Sequence, residues 1–380
     1  MIASSSQPLI TNNLIFGPLA LPLYVSTILL CILHKVTNWV HPYLHMVYDV
    51  LFILYTGSFL SLKFFTLVCK PPTTSTSNSW IKYPLYALLL LLAIFFGMKY
   101  LGKTIINFVL TIYFSYLAVY AIKHWLDDII SYSNFMGLVS YKFFEISFIK
   151  RLSYYDFICY AISIILVLFY ALTKHWILNN ICAFAFCLYA LRNINIKKLS
   201  FAFIMLALFL IYDLFFVFGT EIMETLAVNI EGPIRLLYLK KDGQFALIGL
   251  GDVLLPGIVI SFCLRIDVFI YFKQRLINNK ETLKSAFPVN ARMFSKVYFT
   301  GSLIGYLCGF VIAIVITHTF SKAQPALLYL VPSVIFAVLI TALIKGEFRT
   351  ILCFDEENTA KNLAGESKKN KNIKRLTNGI

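Results

Sequence analysis

The chain has 380 residues, 59% of them hydrophobic and 13% charged, with a formal net charge of +15 and a mean hydropathy of +0.79. Such a composition excludes a water-soluble domain and predicts an all-α polytopic membrane protein. The basic excess does not mark a nucleic-acid binder, because it gathers in a few segments between apolar runs, where it is a topology signal.

Apolar runs of about 20 residues, the length that crosses a bilayer, follow one another along the chain. They lie at Leu14 to His34, Met46 to Val68, Tyr83 to Gly102, Thr104 to Ile122, Tyr155 to Leu172, Trp176 to Leu191, Leu199 to Phe218, Phe245 to Leu264, Val297 to Thr317 and Pro325 to Ile344. The first has no preceding basic residue and reads equally as a signal peptide, a signal anchor or an extra span. The count is therefore nine or ten. Pro71 to Ser79 reads as a loop, Lys123 to Tyr154 as an amphipathic connection, and Asp355 to Ile380 as a Lys- and Asn-rich mobile tail.

Basic residues concentrate in Arg192 to Lys198, Arg265 to Lys296 and Lys345 to Arg375, whereas Glu221 to Asp242 carries four acids against three bases. The positive-inside bias puts the first three segments in the cytosol and the acidic loop on the far side. The expected organisation is an N-terminal transmembrane region over residues 1–154, a second transmembrane region over 155–347, where any catalysis would have to lie, and a basic cytosolic tail over 348–380. No soluble catalytic domain is visible, so any chemistry must sit among the helices.

Eight cysteines lie mostly in or at the ends of apolar runs with no CxxC, and six histidines fall at unlike spacings near span ends. Neither a disulfide framework nor a metal site is predicted, and no cofactor is implied.

Asp213 and Asp252 are different. Each lies inside an apolar run, where a carboxylate costs a few kcal/mol or more and normally faces a bundle interior or a wet cavity. Asp213 sits seven residues before Thr220 and Asp252 seven after Phe245. If both runs are helices joined by the intervening loop, each acid lies about 10 Å from the same membrane face and the two can meet. Two carboxyls sharing a poorly solvated site resist double ionisation, so one stays protonated while the other is charged. The charged acid can take a proton from water as it attacks a peptide carbonyl; the protonated one polarises that carbonyl and later helps the amine leave.

Tyr-Asp recurs at Tyr48-Asp49 and Tyr155-Asp156, at run edges where interfacial water is expected to reach the acid; only Tyr212-Asp213 is deep. Gly249-Leu250-Gly251-Asp252 sets two glycines beside the second acid, which permits close approach of helices and of a substrate backbone. Gln324-Pro325-Ala326-Leu327 opens the last run, where a proline at a helix start is ordinary.

These three elements in this order resemble the signal peptide peptidase family of intramembrane aspartyl proteases, relatives of presenilin. Lys174-His175-Trp176-Ile177, Asn179-Asn180, Ile211 to Asp213 leading to Val217 to Thr220, Gly249 to Gly257, Gln324 to Pro332 and Lys345-Gly346-Glu347 extend the resemblance over Tyr155 to Glu347. It implies about nine transmembrane helices in a presenilin-like bundle, a lumenal N-terminus and a cytosolic C-terminus in the endoplasmic reticulum membrane, an orientation inverted relative to presenilin. It implies Asp213 and Asp252 as the catalytic pair. Tyr212, Gly249, Leu250, Gly251 and Gln324 to Leu327 would then shape the site and the substrate groove. The implied partners are the bilayer and transmembrane peptide substrates, namely remnant signal peptides and other type II membrane helices; a homo-oligomer stays open.

Departures are the surplus N-terminal run, the absence of any Asn-x-Ser/Thr sequon, the long basic segment Arg265 to Lys296, and a C-terminus without a KDEL-type or dilysine signal. Two other functions compete. A proton-coupled transporter or channel would also use intramembrane acids, but it predicts matching interruptions in two halves of the chain, whereas these acids sit on adjacent late spans. A non-catalytic membrane scaffold would be expected to lack one of the acids, and both are present.

Overall fold

The computed structural model describes residues 42–62, 82–100, 102–132, 154–194, 196–219, 232–240, 243–278, 294–320, 324–356, 358–359, 361–363 and 365. The run Leu14 to His34, the loop Pro71 to Ser79, the acidic stretch 221–231 and the tail beyond 365 lie outside the described residues.

The helices in chain order are α1 (Pro42–Ser61), α2 (Lys82–Tyr100), α3 (Lys103–Tyr132), α4 (Tyr154–Thr173), α5 (Trp176–Asn193) and α6 (Leu199–Gly219). A hairpin of β1 (Arg235–Leu239) and β2 (Phe245–Gly249) follows, then α7 (Leu250–Asn278), α8 (Val297–Phe320), α9 (Leu327–Ile344) and the short α10 (Phe348–Leu352). Seven of these helices, among the described residues, are long and apolar enough to span a bilayer: α1, α3, α4, α6, α7, α8 and α9. The runs expected at Tyr83 to Gly102 and Trp176 to Leu191 are also helices, α2 and α5, without being among those seven.

The helix α7 is the central post. Its apolar window is 83% buried, against 17% for α3 and 22% for α4, because α1, α5, α6, α8 and α9 all pack around it. Close approach is set by small residues. A Cβ on Gly57 of α1 would run into Leu191 of α5, and one on Gly257 of α7 would meet Leu54 at 2.8 Å. Across the same seam, the Ser58 and Ser261 hydroxyls lie 3.1 Å apart.

The pairing of α8 with α9 is closer still. Gly301, Gly305 and Gly309, four residues apart on α8, face Thr341, Ala337 and Ser333 of the antiparallel α9. This is the small-residue seam by which helices pack in lipid, where no hydrophobic force drives them together. The first amides of α8, Tyr298 and Phe299, donate to the Asp267 carboxylate on α7 at 3.2 and 2.9 Å, so orphan helix-start donors are satisfied from a neighbouring helix. At its other end α9 closes on Gly346, whose φ of +68° lets the Gly346 and Glu347 amides fold back onto the Leu343 and Ala342 carbonyls.

Described residues of the three basic segments meet at one end of the bundle. Lys198 pairs with Asp355 at 3.3 Å, and the buried Arg265 on α7 with Glu356 at 3.5 Å. Burial pushes the Glu356 carboxyl up, and the Arg265 guanidinium opposes that shift. The outward faces of α3, α4 and α6 carry exposed large apolar side chains such as Phe108, Ile165, Ile211 and Phe215, as lipid contact requires.

Three sequence expectations need correction. The run Phe245 to Leu264 is not helical throughout: its first five residues are β2, and the helix starts at Leu250. Apolar runs of five residues fit a strand as well as a helix, and Arg235–Leu239, read from composition as loop, supplies the partner in antiparallel register, Arg235 opposite Gly249 and Leu239 opposite Phe245. Secondly, Asp49 does not reach water; it is 1% exposed and bonded to Tyr238. The first ten residues of Lys123 to Tyr154 are likewise no separate connection but the end of α3, anchored where Lys123 meets Asp127 and Asp156.

Candidate active site

Asp213 lies on the inward face of α6, six residues before the helix ends at Gly219. The alternation of that helix decides this: Asp213 and Phe216 are buried while Ile211 and Phe215 are exposed. Asp252 is in the first turn of α7, half-buried. The two acids are thus not at matched positions within two helices, as the spacing predicts. They come together because the hairpin brings the start of α7 to the level of Asp213, about 9 Å along α6 from its end. The two carboxyls lie within electrostatic reach of each other.

Backbone amides meet both acids. The Leu327 N–H, at the start of α9, donates to the Asp213 carboxyl, while the Gly249 N–H donates to that of Asp252. The Asp213 Oδ2 has no hydrogen-bond partner among the described residues. Two of the three sequence elements therefore touch through Leu327 and Asp213. Pro325 and Leu327 are buried, Ala326 half-buried; the Pro325 and Ala326 carbonyls accept the first amides of α9 from Leu328, Tyr329 and Leu330. Gln324 is held by the Tyr329 hydroxyl, which donates to its Oε1 at 2.5 Å. The helix begins at Leu327, not at Pro325, so the Pro-Ala pair is the turn that presents the Leu327 amide.

The two glycines play different parts. A Cβ on Gly249 would stand 3.2 Å from Asp252 Oδ2, whereas one on Gly251 would meet nothing within 4 Å. Gly249 keeps space for the acid, and Gly251 leaves an open flank. Leu250 is buried, and its amide donates to the Ile234 carbonyl at 3.0 Å, closing the hairpin. Tyr212 is half-buried and packs its ring on Phe216 with centroids 4.8 Å apart, which steers it along α6.

Sequence reasoning missed the supports of the hairpin. Asn180 on α5 donates to the Leu237 carbonyl at 2.8 Å and accepts the Leu237 amide at 2.9 Å, while Asn179 donates to the Arg235 carbonyl at 2.8 Å. The outer edge of β1 is capped by these side chains as a third strand would cap it. The Asn179-Asn180 pair was visible, but without β1 nothing said what it binds. Tyr306 on α8 was missed too; it is fully buried beside Asp252. Among the described residues no group of His, Cys, Asp and Glu could hold a metal ion.

A sequence profile of the family described as signal peptide peptidase matches residues 68–358. The chain is 34% identical to human signal peptide peptidase over 315 residues, 76% of this chain and 75% of that protein. Its identity to mouse signal peptide peptidase is 33% over 316 residues, with the same coverage. It is 30% identical to intramembrane protease 2 of Caenorhabditis elegans over 216 residues, 55% of this chain and 44% of that protein. No solved structure matches the chain significantly. With the profile covering well over half of its length and the identity spread across three quarters of it, the chain belongs to the signal peptide peptidase family of intramembrane aspartyl proteases.

Proposed function

We propose that Asp213 and Asp252 are the catalytic pair, and that the substrates are remnant signal peptides and other type II membrane helices, cut within the bilayer. The observation that carries this reading is that the buried Asp213 and half-buried Asp252 carboxyls lie within electrostatic reach of each other, one facing the Leu327 amide and the other the Gly249 amide. The charged acid takes a proton from water as the water oxygen bonds to the scissile carbonyl carbon, and the other acid gives its proton to the carbonyl oxygen. Collapse of the tetrahedral adduct breaks the C–N bond, and the amine leaves with a proton returned from the pair. Water and two acids suffice, so no metal or organic cofactor enters the proposed cycle.

Substrate binding is supported by the hairpin. With the β1 edge covered by Asn179 and Asn180, the other edge runs along Phe245, Leu247 and Gly249 towards Asp252, and Phe245 and Leu247 are 42% and 51% exposed. A helical substrate must unwind before its carbonyl can be attacked, which frees backbone groups that lipid cannot satisfy. An extended segment laid beside β2 would recover those bonds and run on past the open flank of Gly251. Tyr212, Leu250 and Gln324 to Leu327 form the surroundings of that path.

The basic segments Arg192 to Lys198, Arg265 to Lys296 and Lys345 to Arg375 support a cytosolic C-terminus, and family membership supports the endoplasmic reticulum membrane as its site. The test is cleavage of a signal-peptide-derived helix by the purified protein in detergent, beside Asp213→Ala, Asp252→Ala and a transition-state-mimicking aspartyl protease inhibitor. Cleavage should vanish in all three controls. Turnover retained in either variant removes that acid from the mechanism.

A further inference from the structure

Pro256 lies inside α7 and is buried. In an α-helix the amide of residue 256 would donate to the carbonyl of residue 252, and proline has no amide hydrogen to give. The carbonyl left without its helical donor is therefore that of Asp252. The one hydrogen bond to that oxygen given by a side chain, among the described residues, comes from another helix: the Tyr306 hydroxyl of α8 reaches it at 3.4 Å. Tyr306 is fully buried, and its ring stacks on Phe310 with centroids 5.8 Å apart and planes 18° apart. This stacking fixes where the hydroxyl points.

We propose that Tyr306 is a positioning residue for Asp252, its hydroxyl standing in for the helix hydrogen bond that Pro256 removes. The inference rests on the reading of Asp252 as one of the catalytic pair. Asp252 sits at a weak point: the first turn of a helix has few internal bonds, and the proline one turn on deletes another. Holding the Asp252 carbonyl from α8 fixes the peptide plane from which its side chain is aimed at Asp213. It also joins the acid to α8, and through the glycine seam to α9, whose first amide meets Asp213. One acid is thus held through its backbone and the other through its carboxyl, both by the same helix pair.

The missing amide can be restored, which makes the idea testable by rescue. In the full chain purified in detergent, Tyr306→Phe, Pro256→Ala and the double variant are compared with wild type and with Asp252→Ala, reading kcat, KM and thermal unfolding. Tyr306→Phe should lower kcat about tenfold, the scale of a slightly misplaced catalytic group, with KM within about twofold. In the Pro256→Ala background the same change should cost about twofold or less, because the residue 256 amide then serves the Asp252 carbonyl. Equal losses in both backgrounds, or no loss in Tyr306→Phe, overturn the proposal. Should Tyr306→Phe not fold, the double variant decides: a folded, active double variant supports the substitution of one bond for the other, and an unfolded one sinks it. Undiminished cleavage by Asp252→Ala would instead overturn the catalytic pair itself, whereas an inert Asp252→Ala with additive Tyr306 and Pro256 effects removes only the hydrogen bond.

Discussion

The hydroxyl of Tyr238 donates to Asp49 Oδ2 at 3.0 Å, tying β1 of the hairpin to α1 across 189 residues of sequence. His45 Nδ1 lies 3.5 Å from the same oxygen, and its ring meets that of Tyr238 edge-on at 5.2 Å. All three side chains are essentially inaccessible to solvent. An acid that would be costly in the interior is held by two polar neighbours, and the hairpin that leads into Asp252 is fastened by its face.

Removing that hydroxyl leaves Asp49 short of a donor. Tyr238→Phe is expected to cost about 1–3 kcal/mol of stability, read as a lower unfolding temperature in detergent. Cleavage should fall with it, since the hairpin loses one of its two anchors. An unchanged unfolding temperature would mean that the bond contributes nothing to the fold.

The second anchor is the asparagine pair. Asn180→Leu keeps the branched shape of the side chain but takes both hydrogen bonds from Leu237. With β1 uncapped at Leu237 and held only through Asn179 at Arg235, the height of Gly249 relative to Asp213 loosens. The expected result is a drop in kcat of about tenfold together with cleavage spread over neighbouring peptide bonds, seen by mass spectrometry of the products. A product pattern identical to wild type at lower stability would reduce Asn180 to a packing role.

How much of this was legible in the sequence follows from what hydropathy can and cannot carry. Long apolar runs such as Leu199 to Phe218 and Val297 to Thr317 give the helices within a residue or a few, because their length alone admits no strand. The inward placement of Asp213 was legible as well, since a carboxylate in such a run demands a reason. Phe245 to Gly249 was not, because its alternation appears only once burial is known, and its strand partner Arg235–Leu239 looks like loop by charge. Missing the hairpin hid everything that leans on it, including Asn180, Tyr238 and Asp49. The glycines at 301, 305 and 309 are a readable four-residue repeat, but their partners 333, 337 and 341 have meaning only after α8 and α9 are paired.

That pairing carries its own expectation. A Cβ on Gly305 would press on Ala337 and stand 2.8 Å from the Ser333 carbonyl oxygen, which is backbone and cannot swing aside. Gly305→Ala should force α8 away from α9 at a cost of about 1–3 kcal/mol, and Gly305→Leu should prevent the pair from closing. Since Tyr306 is the next residue and Leu327 opens α9, cleavage should fall more steeply than stability. A Gly305→Leu protein with ordinary turnover would contradict the close packing of the two helices.

The two glycines beside Asp252 separate a steric role from an open one. A methyl group added at Gly249 meets the Asp252 carboxyl at 3.2 Å, tight enough that the acid must shift, so Gly249→Ala acts on one acid of the proposed pair whether or not substrate is bound. The loss should fall on kcat, by about tenfold for a displacement of a few tenths of an ångström. Gly251→Ala adds the same methyl group where nothing stands within 4 Å, so the unliganded site is undisturbed. If the substrate backbone passes along that flank, the added group clashes with substrate alone, and the defect should appear as a raised KM with folding and unfolding temperature preserved. Binding of a transition-state-mimicking inhibitor that extends to both sides of the scissile position should weaken in Gly251→Ala, and weaken less for one truncated on the side that faces Gly251. Equal affinity for the extended inhibitor in wild type and Gly251→Ala would move the substrate path to another side of Asp252.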